Sequence, residues 1–219
     1  MDLRPVALPF AKISILQDVE SQAISSDSEF LYRNIVAEYS GNAEKPIKAL
    51  ELGTGNGIIA IMLALTFKNW QIKALEAQIA LYLLAKKNIS QSKTDIDLIL
   101  TDFRKTKQID INEKYDLIYS NPPFYSLTTV RISPSISKSL SRYELLCDME
   151  DVLLIMKINL KKNGKGLFLY PTIRADEFRR KAEKHGFEIV NEQINVNKTQ
   201  QENKSRTIFF ISHTKRMSS

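Results

Sequence analysis

The segment Glu51-Leu52-Gly53-Thr54-Gly55-Asn56-Gly57 constrains this chain more than any other. It closes the mostly apolar run Ile47–Leu52, which reads as a buried strand, and precedes Ile58–Phe67, which reads as a helix. Glycines at alternate positions let the backbone turn sharply and let a ligand approach the main chain closely. Two phosphate-cradling loops can be tested against it. A Walker loop needs a Gly-Lys-Ser/Thr ending, and none is present. A dinucleotide fingerprint needs Gly or Ala at its sixth position, where this chain has Ile58. The turn therefore suits a ligand with no pyrophosphate to cradle.

The rest of the chain repeats the alternation. Strands are expected at Gln71–Leu75, Asp97–Leu100, Tyr115–Tyr119, Gly166–Leu169, Phe187–Asn191 and Arg206–His213. Helices are expected over Ala77–Ile89, Glu144–Leu160 and Arg174–His185. Strands alternating with helices give a parallel sheet wrapped on both faces by right-handed crossovers. Residues 1–44 stand outside the alternation and read as an N-terminal extension with one helix near Glu29–Tyr39; residues 45–219 form the alternating domain.

Ligands of such sheets bind beyond the carboxyl ends of the strands. Three successive ends carry acids. Glu51 closes the first strand, Glu76 the second, and Asp102, followed by Phe103, the third. S-adenosylmethionine matches this order. Glu51 suits its ammonium and sulfonium charges, and Glu76 suits two ribose hydroxyls. Asp102 suits the adenine amine, and the Phe103 ring suits the adenine face. Gly53, Gly55 and Gly57 would let the cofactor approach the backbone.

The fourth strand ends in Tyr119-Ser120-Asn121-Pro122-Pro123-Phe124-Tyr125. A plain proline-rich turn accounts for the prolines, but not for an Asn before them and aromatics after them at a strand end. An exocyclic ring amine is a poor nucleophile, because its lone pair is delocalised into the ring. The Asn121 carboxamide oxygen and the Pro122 carbonyl can each accept one of its N–H groups and so turn the lone pair outward. Asn121 thus borders both cofactor and substrate. Phe124 can stack on a base that is flipped out or already unpaired, with Pro123 and Tyr125 beside it.

Gly-x-Gly-x-Gly after the first strand and Asn-Pro-Pro-Phe after the fourth resemble the class I N-methyltransferases that act on amines or amides. Within that class the chain resembles the tRNA adenine-N6 methyltransferases, whose type member modifies a valine tRNA. Ile15–Leu31, with Gln17 and Asp27, resembles that family's N-terminal stretch, and Ser141-Arg142-Tyr143-Glu144 its Ala-Arg-His-Glu element. Phe124 stands where Tyr is more usual in the family, and Phe is common in rRNA base methyltransferases. The resemblance implies a Rossmann-like, doubly wound, seven-stranded sheet, mostly parallel with the last strand antiparallel. It further implies S-adenosyl-L-methionine as cofactor and adenine N6 in tRNA as target. Arg142 is a candidate phosphate contact.

Composition permits this reading. The net charge is +6, from 31 Lys and Arg against 25 Asp and Glu, a modest excess that favours a polyanion such as RNA. The single cysteine, Cys147, is expected in a helix core and fits a reducing cytoplasm. No run of eighteen apolar residues predicts a membrane span, and Met1–Pro5 does not read as a secretion signal. His185 and His213 are isolated, so no metal site is expected. Three other functions compete: a guanine-N2 or adenine-N6 rRNA methyltransferase, a protein glutamine N5-methyltransferase, and an inactive RNA-binding module on the same fold.

Overall fold

The computed structural model describes residues 2–8, 13–18, 26–104, 113–122, 148–195 and 205–214. Two short strands, β1 (Leu3–Ala7) and β2 (Ser14–Asp18), pair antiparallel as a separate ribbon. Helix α1 (Ser26–Tyr39) follows, and then the alternation begins. It runs β3 (Lys48–Leu52), α2 (Ile58–Thr66), β4 (Gln71–Glu76), α3 (Ile79–Ser92), β5 (Ile96–Leu100), β6 (Tyr115–Ser120), α4 (Met149–Asn159), β7 (Leu160–Pro171), α5 (Ala175–Lys184), β8 (Phe187–Asn195) and β9 (Arg206–His213).

Strands β3 to β9 form one sheet in the order β5-β4-β3-β6-β7-β9-β8. Neighbours from β5 through β7 are parallel, and β9 runs antiparallel between β7 and β8. The expected Rossmann-like sheet is therefore present, with its last strand reversed. The strand order turns back at β3 and β6, the position where such sheets hold ligands.

The central strands are apolar without alternation because both of their faces are covered. Ala49, Leu50, Leu117, Ile118, Leu167 and Phe168 are all fully buried. Helix α2 contacts both α1 and α3, and α4 contacts α5. Helix α2 buries every residue from Ile58 to Leu63, so its hydrophobic burial, rather than any cap side chain, holds it in place. At the other end of the sheet Phe178 of α5 stacks on Phe209 of β9, with centroids 4.3 Å apart.

The N-terminal extension contains the expected helix and also the β1–β2 ribbon, which was not foreseen. Helix α4 begins at Met149, later than the expected Glu144. Asp148 is extended there, accepts from the Asp151 amide (2.9 Å), and its own amide donates to the Asp151 carboxylate (3.1 Å). That reciprocal pair is a capping box and fixes the start. Among the described residues no helix is long and apolar enough to cross a membrane.

Candidate active site

The glycine turn after β3 is tied down on one side and open on the other. Gly53 and Thr54 both donate their amides to the Leu75 carbonyl at the end of β4 (3.0 and 2.9 Å). Gly53, Gly55 and Gly57 have φ of +74°, +62° and +84°, a region that side chains rarely adopt. A Cβ added at Gly57 would sit 3.5 Å from the Ala85 Cβ, so this glycine is where α3 packs against the turn. Among the described residues, a Cβ added at Gly53 or Gly55 would meet nothing within 4 Å. These two therefore leave an open cradle above bare backbone.

Glu51 lies beneath this cradle with only 2% of its surface exposed. Its carboxyl accepts from the Thr54 hydroxyl (2.5 Å) and from the Ala60 amide in the first turn of α2. Burial pushes its pKa up to about 8, and the nearby Glu76 carboxyl adds to the rise, while the Thr54 bond opposes it. Tyr119 of β6 lies buried in electrostatic contact with Glu51, yet its hydroxyl makes no hydrogen bond of normal geometry among the described residues. Glu76, 5% exposed, accepts from the amides of Gly55 (2.8 Å) and Gln78 (2.9 Å). Its pKa is raised by burial, against those backbone bonds. The two acids thus brace the turn from below and from the side.

Asp102 and Phe103 lie just past β5. Phe103 is 8% exposed and belongs to the core. Asp102 holds a two-point ion pair with Arg104, Nε to Oδ1 at 2.9 Å and Nη2 to Oδ2 at 2.7 Å. Arg104 also acts on Asp151 of the α4 cap; burial is the main cause of that carboxyl's raised pKa, and the Arg104 charge opposes it.

On the other side of the turn, the Ser120 hydroxyl donates to the Leu52 carbonyl (2.7 Å) and locks the ends of β6 and β3 together. Asn121 follows directly. Its carboxamide oxygen is buried and has no hydrogen-bond partner among the described residues, and Pro122 behind it is buried. Glu51, Gly53, Gly55, Gly57, Glu76, Asp102, Phe103, Asn121 and Pro122 are thus gathered at one edge of the sheet. Pro123, Phe124, Tyr125, Arg142 and Cys147 lie outside the described residues.

Two polar contacts here were not foreseen. Asn88 of α3 is fully buried and reaches the carbonyl of Asn56 in the turn (2.9 Å). Its position on the same face as Leu84 and Ala85, all buried, was a signal available in the sequence: a lone amide in an apolar helix stripe. Asp27, at the start of α1, pairs with Arg206 at the start of β9 (3.1 Å), and burial still holds the Asp27 pKa above its ordinary value. No pattern links two residues so far apart in sequence. Among the described residues no group of three or more His, Cys, Asp or Glu is placed to hold a metal ion.

An open backbone cradle, two buried carboxyls beside it and an orphaned amide oxygen fit a cationic nucleoside ligand such as S-adenosylmethionine. A sheet of this order with the reversed β9 and that cradle defines the class of S-adenosylmethionine-dependent methyltransferases. Residues 20–139 match the methyltransferase small domain family, to which the chain belongs. The tRNA1(Val) (adenine(37)-N6)-methyltransferase of Trichodesmium erythraeum is 31% identical over 177 residues, covering 80% of this chain and 71% of that protein. The release factor glutamine methyltransferase of Lactococcus lactis is 30% identical over 146 residues, covering 64% of this chain and 52% of that protein. Among solved structures, the T. thermophilus 16S rRNA N2 G1207 methyltransferase, in complex with AdoMet and guanosine, superposes with a TM-score of 0.67 at 13% identity. That match covers 97% of this chain and 50% of the other.

Proposed function

We propose that this chain methylates the N6 amine of adenine in RNA, with tRNA as the substrate and the cytoplasm as its setting. The observation that carries the proposal is the buried Asn121 oxygen, which has no hydrogen-bond partner among the described residues. An unmade buried acceptor costs about 1–3 kcal/mol, which an incoming N–H donor recovers. Asn121 accepts one proton-bearing arm of the amine, and the Pro122 carbonyl accepts the other. Proline fixes the backbone dihedral behind that carbonyl, so the acceptor does not have to be ordered when the substrate arrives. Held at two points, the nitrogen lone pair is directed out of the ring plane. Phe124 is assigned to stacking on the base, Pro123 and Tyr125 to its edges, and Arg142 to a phosphate.

The cofactor, when bound, supplies an electrophilic methyl group on a positively charged sulfur. The residues assigned to hold it are Gly53, Gly55 and Gly57 through their backbone, Glu51 and Glu76 through charge and hydrogen bonding, and Asp102 and Phe103 at the adenine. Asn121 stands between the two ligands. The tRNA relatives support the choice of substrate, because they match a larger share of this chain and of themselves than the glutamine-modifying relative does.

The test is to incubate the protein with labelled S-adenosylmethionine and unmodified tRNA or rRNA in separate reactions. The RNA is then digested and the labelled nucleoside identified by mass spectrometry. N6-methyladenosine in tRNA, lost in Asn121→Ala, is the expected result. N2-methylguanosine, or label confined to rRNA, overturns the substrate. Label only on a protein glutamine moves the reaction to amides.

A further inference from the structure

Among the described residues, strand β2 has a strand partner on one side only. Leu16 stands opposite Pro5 of β1, and proline has no N–H to give. This is therefore a position where the Leu16 amide and carbonyl point away from β1, as alternate residues of an antiparallel pair do. Such an open edge is ordinarily taken by a third strand. Here one side chain takes it. The Asn88 carboxamide accepts from the Leu16 amide (2.7 Å) and donates to the Leu16 carbonyl (2.9 Å), just as a neighbouring peptide unit would.

The second hydrogen of the same Asn88 nitrogen goes to the carbonyl of Asn56, between Gly55 and Gly57 in the turn (2.9 Å). The two N–H bonds of a planar amide diverge at a fixed angle. Both are made together only when the Leu16 and Asn56 carbonyls are in place together. Asn88 is fully buried, and Ile15 and Gln17 on either side of Leu16 are 1% exposed, so water is a poor substitute for either partner. The family match begins at residue 20, after the ribbon, and the coupling therefore joins the ribbon to the matched domain.

We infer that Asn88 is a positioning residue that couples the β1–β2 ribbon to the glycine turn, so that docking of the ribbon and binding of S-adenosylmethionine strengthen each other. The inference rests on the cofactor and not on which base is methylated. Linkage makes the coupling reciprocal: what holds the turn for the cofactor is in turn held by it.

The test combines cofactor affinity by calorimetry with hydrogen exchange of the Leu16 amide, measured on the full chain with and without S-adenosylmethionine. In the unaltered protein the cofactor should slow exchange at Leu16. In Asn88→Ala the dissociation constant should rise about tenfold, the scale of one to two lost hydrogen bonds, and the cofactor should no longer slow that exchange. Leu16→Pro removes the same bond from the ribbon side while leaving the β1 pairing intact. It serves if Asn88→Ala does not fold, with dissociation constant and exchange at Gln17 as its readouts. A purely structural Asn88 would speed exchange in both variants while leaving the dissociation constant within twofold, and that result overturns the inference. An unaltered protein that binds no S-adenosylmethionine overturns the cofactor assignment and the inference with it. Binding without adenine methylation overturns only the proposed substrate.

Discussion

The Asp102 carboxylate and the Arg104 guanidinium meet edge to edge, with both oxygens engaged at 2.9 and 2.7 Å. The acid proposed to meet the cofactor's adenine is thereby held in one orientation by its neighbour two residues on. Arg104→Ala should release that carboxylate and weaken S-adenosylmethionine binding by about tenfold, the scale of a charge-assisted pair. Arg104→Lys keeps the charge but not the fork and should recover only part of the loss. Calorimetric dissociation constants for the two variants decide the matter; equal values for Ala and the unaltered protein would remove Arg104 from the site.

The cradle separates folding from binding at Gly55. Alanine there must adopt a φ near +62°, at a cost of about 1 kcal/mol, but meets no neighbour within 4 Å among the described residues. Gly55→Ala should therefore melt only a few degrees lower while losing at least about tenfold in cofactor affinity, since its Cβ enters the open space. Gly41→Ala, equally open but with an ordinary φ, is the matched control and should change neither. Unchanged cofactor affinity in Gly55→Ala would place the ligand elsewhere.

At the opposite edge of the sheet Glu113 accepts from Lys48 (2.8 Å), Lys73 (2.7 Å) and the Tyr115 hydroxyl (2.9 Å). The bond from Lys48, followed by that from Lys73, holds its pKa down at about 2. A depressed carboxyl stabilises the fold above its ordinary value of 4.5 and loses that contribution as pH falls toward 2. For this partly exposed group the worth at neutral pH is about 1 kcal/mol. Glu113→Gln should lower stability by that amount at pH 7 and flatten the acid limb between pH 4.5 and 2 in denaturant titrations. Parallel acid limbs for the two proteins would rule the network out as a source of stability.

Much of the sheet was legible because burial on both faces writes continuous apolar runs, as at Leu117–Tyr119 and Leu167–Tyr170. The glycine turn was legible because few residue types meet its backbone demands. The ribbon was not. Its strands are five residues each, its outer residues are exposed, and it is fixed by an asparagine 72 residues away. Propensity sees neighbours along the chain, and Asn88 and Leu16 are neighbours only in space. Arg104 was hidden differently: a basic residue beside an acid is common, and only the fork geometry shows what it does. The start of α4 was misplaced because Asp148 and Asp151 signal it jointly, while the apolar pattern alone runs further back.

Glu51 should make cofactor choice depend on pH. Burial raises its pKa to about 8, so in the free chain it carries a proton at neutral pH. The sign follows: with the folded value above the ordinary 4.5, its contribution to stability is complete below 4.5 and lost as pH rises through 8. A bound sulfonium favours the ionised form, whereas the neutral sulfur of S-adenosylhomocysteine does not. The ratio of affinities for S-adenosylmethionine over S-adenosylhomocysteine should therefore climb between pH 6.5 and 9, since both ligands share the same ammonium and carboxylate. In Glu51→Gln the ratio should stay level, and unfolding stability should fall less steeply toward pH 9 than in the unaltered protein. Calorimetry across that range gives both curves. A ratio that climbs equally in the glutamine variant would show that some other group senses the sulfonium, and Glu51 would then be confined to bracing the turn through Thr54 and Ala60.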